Sequence, residues 1–234
     1  MMIKHYLKVA FRNLAKYKVQ SIVSILGLAV GFVCFALSTL WIRYEMTYDT
    51  FHEGAERIYL VRAHYAHEPG KISNSTPYPL ADYLQKGNPE IEAMASTSVQ
   101  KVKFRVKDTE KDVVSAAADS VLMNFFNIRV LRGTVNFLKG TNGEIAITEE
   151  FSKRIFGEEE ALGREVEVSG HASKVGAIVS GWSSHSNIPY SILTSARHYT
   201  QWGSANENLF VRIRKGTNGE EFQKKIAALR INDI

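Results

Sequence analysis

Cysteine is almost absent from this 234-residue chain: Cys34 is the only one. A disulfide framework and a cysteine-rich zinc site are therefore excluded. Signatures of nucleotide and hydrolytic chemistry are also missing. There is no GxxxxGK[S/T], GxGxxG, GxSxG, HExxH or CxxC, so a phosphate-cradling loop, a dinucleotide turn and the common hydrolase sites have no basis here. Acidic residues are absent before Glu45, and charge of either sign is absent from Val19 to Ile42. Long apolar runs are absent after Ile42, and the mean hydropathy of −0.15 excludes a chain made mostly of membrane helices.

The charge that is present is unevenly placed. Lys4, Lys8, Arg12, Lys16 and Lys18 account for the net charge of +5. Residues 43–234 carry 24 basic and 24 acidic residues. A nucleic-acid partner is thus not expected, because the body has no net charge with which to neutralise phosphates.

Residues 19–42 read as a transmembrane helix. Twelve of the 22 residues from Ser21 to Ile42 are Ile, Leu, Val or Phe. At ~0.3 to 0.6 kcal/mol each they favour insertion by roughly 4 to 7 kcal/mol. Trp41 and Tyr44 supply an interfacial aromatic pair. A cleaved signal peptide needs a shorter apolar region and a small-residue site, for which Ala36-Leu37-Ser38 is a weak match. Basic residues before the span place the N-terminus in the cytoplasm and residues 43–234 in the periplasm. Within residues 1–18, Ile3, Leu7, Phe11 and Leu14 recur at helical spacing beside the lysines, as in a basic amphipathic helix on the cytoplasmic lipid surface. Ser24, Gly27 and Gly31 form a small-residue stripe suited to close packing against another membrane helix.

The body reads as α+β. Alternation predicts strands at Ile58–Ala63, Val102–Val106, Val113–Ala117, Glu144–Ile147, Glu165–Val168, Val175–Val179 and Leu209–Ile213. Helices are expected at Pro77–Lys86, as a short helix capped by Asp119 and running through Phe126, after Thr148 and over Glu220–Leu229, with a turn at Asp108–Lys111. Thr148 is placed to cap its helix, and Gly157 to end it in left-handed geometry. Phe156 is its last core contact, and Gly163 suits the turn into the next strand. These four are scaffold positions. Lys101, Lys103, Arg105 and Lys107 make the outer face of one strand basic, which reads as a solvated face. Ser184-His185-Ser186 and the His64/His67 pair are too sparse for a triad or a metal site. No catalytic residue, cofactor or metal ligand is assigned, and an enzyme is not expected.

Several segments together carry a family resemblance. In order they are SILGLAVG in the span, YEMTYDTFHEGAERIYLVR (Tyr44–Arg62), AADSVLMNFFNIRVLRG (Ala117–Gly133), IAITEEFSKRIFGEEEALGREVEV (Ile145–Val168), SHSNIPYSILTS (Ser184–Ser195) and NLFVRIRKG. They resemble the N-terminal half of MacB/FtsX-type ABC transporter permeases, whose extracytoplasmic part is a MacB-like periplasmic core domain. The resemblance covers nearly the whole chain and is most specific around Thr148, Phe156, Gly157 and Gly163.

It implies a two-lobed α/β periplasmic domain, with residues 43–92 and 205–234 in a membrane-proximal lobe and 93–200 in a distal lobe. It implies an inner-membrane location and ATP hydrolysis on a separate cytoplasmic ABC ATPase, whose motion reaches the periplasm to drive export or efflux. Other permease helices or a second permease copy, and periplasmic adaptor and outer-membrane proteins, are the further partners it implies. Such permeases carry three more helices, so the chain is expected to be a fragment or a short form. The alternative is a single-pass binding, sensing or adaptor module without transport activity.

Overall fold

The computed structural model describes residues 2–50, 52–107, 109–182, 186 and 188–230; at residues 3, 4, 7, 10 and 11 it describes the backbone alone. The chain divides into two compact units, residues 1–48 and 49–234.

The first unit is helical. α1 (Met2–Lys16) and α2 (Lys18–Met46) are separated by Tyr17. α2 extends past the expected span of 19–42 at both ends and has 29 residues, or ~44 Å. None of its residues is buried. Among the described residues it alone is long and apolar enough to cross a membrane. Thr47 ends it, its hydroxyl donating to the carbonyls of Arg43 and Tyr44 at 3.0 Å.

The second unit holds two sheets. In the smaller, β11 (Ala205–Ile213) is central. β3 (Ile91–Thr97) lies antiparallel along one side of it, while β1 (Ile58–Leu60) and β2 (Thr76–Pro77) share the other. β3 spans the expected lobe boundary at 92/93 and pairs with β11 from Ile91 to Thr97.

The larger sheet is built from β4 (Val99–Val106), β5 (Thr109–Ala118), β6 (Val130–Gly133), β7 (Glu144–Thr148), β8 (Glu165–Val168), β9 (His171–Val179) and β10 (Ile192–Ser195). Its order is β6-β9-β7-β10-β5-β4-β8. Because β8 pairs with both β4 and β9, the sheet closes on itself as a small barrel. β10 runs parallel to β5, and β7 parallel to β9.

Three apolar clusters follow from strand alternation. Val102 and Phe104 point into the barrel with Ile147, Val166, Val175 and Ile178, while Lys101, Lys103 and Arg105 face out. Leu209, Val211 and Ile213 lie under α3 (Leu80–Gly87) and α6 (Gly219–Ala227). Each is at most 2% exposed, so each contributes up to ~1.5–3 kcal/mol of burial. On the opposite side of the small sheet, Ala95 and Phe210 meet α4 (Ser120–Phe125) and the buried Ala146, Ala177 and Leu193 of the barrel strands. This shared cluster joins the two sheets.

The architecture is thus mixed α and β behind an N-terminal apolar helix, with several boundaries differing from the sequence reading. The helix expected from Pro77 starts at Leu80, because Thr76 and Pro77 pair with β11. The expected turn at Asp108–Lys111 is shorter, since Val106 already pairs with Thr109 and Lys107 takes a φ of 51°. The final helix ends at Ala227 rather than running on to Leu229. β3, β6 and β10 were not expected.

Candidate functional site

Ser24, Gly27 and Gly31 lie on α2, in the first unit. All three are exposed, and a Cβ added at either glycine would meet nothing within 4 Å. Their spacing by three and four puts them on one face.

The other expected positions lie along and after α5 (Glu149–Phe156): Thr148 before it, Phe156 and Gly157 at its end, and Gly163 on the approach to β8. The Thr148 hydroxyl accepts from the Phe151 amide at 3.2 Å, as an N-cap does. Phe151 is thereby turned into the barrel, edge-on to Phe104 at 5.0 Å between centroids. Phe156 is half-buried against the same cluster. The Gly157 amide donates to Lys153 O at 2.9 Å, with φ 62° and ψ −124°. Its φ is positive, but its ψ lies outside the left-handed helical region that the sequence suggested. Only glycine visits this backbone region readily. At Gly163, φ is 78° and the amide donates to Val175 O at 2.8 Å, fixing the approach to β8. These contacts build the scaffold and offer no reacting group.

The basic face of β4 is largely compensated. Glu110 pairs with Lys103 at 2.6 Å and with Arg105 at 2.5 Å, and Glu167 meets Arg105 at 3.2 Å. His64 and His67 are exposed. Among the described residues no group of three or more His, Cys, Asp or Glu side chains is arranged to hold a metal ion. Ser184 and His185 lie outside the described residues. Ser186 donates to Asp49 Oδ1 and accepts from the Ile188 amide. An open cleft of about 520 Å³ is lined by Arg57, Arg212, Arg214 and Lys215 with Glu53 and Glu92. Its charges are partly engaged within the wall: Arg57 reaches Glu92 at 2.5 Å and Ile213 O at 2.8 Å.

The densest polar constellation was not anticipated. It lies where the chain passes between the two sheets. His198, on the passage from β10 to β11, places Nε2 3.1 Å from Asp119 Oδ2 and Nδ1 3.4 Å from Glu207 Oε1. The Asp119 contact is a hydrogen bond; the Glu207 contact is off hydrogen-bond alignment and acts through charge. Tyr78 stacks on the imidazole, with centroids 4.0 Å apart and planes 13° from parallel. Asp119 also caps α4, accepting from the Leu122 amide at 2.7 Å.

The pKa shifts follow from this geometry. His198 is raised to about 9, first by its hydrogen bond to Asp119 and then by Glu207, against a smaller desolvation effect. It is an imidazolium at neutral pH. Burial opposes ionisation of Asp119, yet hydrogen bonds from His198 and the Leu122 amide together hold it below the ordinary aspartate value. A second histidine, His52, behaves oppositely. Packed 4.9 Å from Phe126 and 4.8 Å from Trp182, it is lowered chiefly by desolvation.

One sequence signal pointed to this cluster. Glu207 shares the strand phase of Leu209, Val211 and Ile213, so alternation alone puts a carboxylate on the buried side of β11. A buried carboxylate demands a partner.

A family model described as the MacB-like periplasmic core domain matches residues 21–229. The chain belongs to that family. Comparison with curated protein sequences finds no match. Solved structures agree with the family at the level of the fold. A domain assigned to a permease protein from Porphyromonas gingivalis superposes with a TM-score of 0.61 at 19% identity, covering 74% of this chain and 82% of its own. The extracellular domain of the noncanonic ABC-type transporter YknZ from Gram-positive bacteria gives 0.50 at 14% identity, covering 71% and 86%. The periplasmic region of MacB from Actinobacillus actinomycetemcomitans gives 0.50 at 12% identity, covering 72% and 79%. The MacB-like domain here follows directly on α2, as suits a membrane-anchored member of the ABC-type permease family.

Proposed function

We propose that this chain is a permease component of a MacB/FtsX-type ABC transporter, carrying ATP-driven motion from a separate cytoplasmic ATPase to the periplasm for export or efflux. The observation that carries this reading is the family match running from within the apolar helix to Leu229. α2 is the physical route: a continuous helix of ~44 Å transmits displacement and rotation along its axis. The basic α1 suits the anionic cytoplasmic lipid surface, which sets the N-terminus inside and the MacB-like domain outside the inner membrane. Ser24, Gly27 and Gly31 serve contacts with further permease helices or a second copy. ATP belongs to the partner subunit, and the chain itself performs no bond chemistry.

Cysteines placed at the exposed Asn74 and Glu158, in a Cys34→Ser background, test the arrangement. Both should react with a membrane-impermeant maleimide in intact spheroplasts. Reaction only after lysis would put the MacB-like domain in the cytoplasm and end this reading. Correct labelling together with failure to co-purify any ABC ATPase would favour a single-pass adaptor instead.

A further inference from the structure

We propose that His198, Asp119 and Glu207 form a lock on a hinge between the two sheets, holding the passages of the chain from one sheet to the other in a single arrangement.

The passages converge at the end of β5. The chain leaves the small sheet through Ser98, whose carbonyl accepts from the Ala117 amide at 2.9 Å. From β5 the chain enters α4 at Asp119 and goes on to β6 of the same sheet. It returns through residues 196–204, where the Ala196 amide donates to Ala118 O at 2.9 Å. Any rotation of one sheet against the other must bend the chain at Ser98 and over residues 196–204. His198 sits on the second of these passages and reaches Asp119 at the end of β5 and Glu207 on β11. One side chain thus ties the passage to the larger sheet at one end and to the central strand of the small sheet at the other. The surrounding seam combines apolar contacts of Ala93, Ala95 and Phe210 against α4 with Arg212, whose guanidinium donates to Phe125 O and lies over the Phe125 ring; of these groups only His198 bears on the passage itself.

The lock has a defined dependence on charge. His198 faces Asp119 from the start of α4, Glu207 from β11 and the Tyr78 ring from the segment before α3; Asp82 on α3 lies close enough to act on Tyr78. Tyr78 is raised above its ordinary value, first by burial, so it stays neutral while His198 titrates. The folded-state pKa of His198, about 9, stands above the ordinary histidine value of 6.5. The contribution of its charge is therefore complete below pH 6.5 and is lost as pH rises through 9. A lock of this kind is closed at neutral pH and opened by losing a partner or by alkali.

Hydrogen–deuterium exchange of the full chain in lipid nanodiscs tests this. At pH 7, His198→Gln and Glu207→Gln should each accelerate exchange at least about tenfold in peptides covering 117–122 and 196–208. Exchange in β7 and β9 should stay as in the wild type. With millisecond pulses, corrected for intrinsic rates, wild type at pH 10 should reproduce the pattern, and His198→Gln should show no further change. Unaltered exchange, or equal acceleration throughout the domain, would overturn the lock; the second result would make the cluster a general stabiliser. If neither variant folds, the wild-type pH series decides by the same criteria. No outcome depends on an ATPase partner, so this test stands apart from the transport reading.

Discussion

Thr148 and Gly157 hold the two ends of α5 by different means. Thr148 supplies an acceptor for an otherwise unpaired amide, at 3.2 Å from the Phe151 nitrogen. Thr148→Ala should cost about 1 kcal/mol and lower the melting temperature by roughly 2–4 °C. Gly157 supplies a backbone conformation. A Cβ there would meet nothing within 4 Å, so crowding is not the issue; φ 62° with ψ −124° is. Gly157→Ala should cost about 1–3 kcal/mol despite the open space. Circular-dichroism melts of the two variants check both values, and a neutral Gly157→Ala would refute the backbone argument. At this scale the capping residues were legible, because each acts on neighbours three or four positions away. Asp119 and Thr148 were placed correctly for that reason. His198 was not legible: its partners lie 79 positions before it and on β11, and no local spacing records them.

Elements with strong periodicity stand where the sequence puts them. β4, β7 and β11 place Val, Ile, Leu or Phe at alternate positions over Val102–Val106, Ile145–Ile147 and Leu209–Ile213, and the barrel and small-sheet cores receive those side chains. β3 was missed because IEAMAST has little β-branched content, and Ala95 and Ser96 are both buried. β10 does not alternate, since Ile192 and Leu193 are both buried, and gains its identity from β5 and β7 on either side. The apolar helix needed no tertiary context to be recognised. Its small-residue stripe is the element-scale feature with a consequence. In lipid, close backbone approach is what favours helix pairing. Gly27→Leu and Gly31→Leu should therefore weaken assembly of the complete transporter, while insertion survives because Leu favours the bilayer. Val30→Leu, on another face, should leave assembly unchanged. Co-purification with the ATPase subunit from native membranes reads the difference. Equal recovery for all three variants would reduce α2 to an anchor.

For the molecule as a whole, a helix long and apolar enough to cross a membrane, a two-sheet domain and the proposed polar lock between the sheets suit the proposed role in carrying motion. The family and its fold were legible because their signature residues are turns and caps that the barrel requires. How the sheets are coupled was not, since it depends on the meeting of the end of β5, the 196–204 passage and β11. The central claim is that nucleotide on one side of the membrane alters the domain on the other. The direct measurement uses Asn74→Cys and Glu158→Cys in the complete gene product, reconstituted with its cytoplasmic ATPase in nanodiscs. The rate of maleimide labelling at each site is followed with and without ATP. The account predicts that ATP changes the rate at one or both sites and that a hydrolysis-deficient ATPase holds the changed rate. Identical rates at both sites, while the ATPase binds and turns over ATP normally, would contradict it.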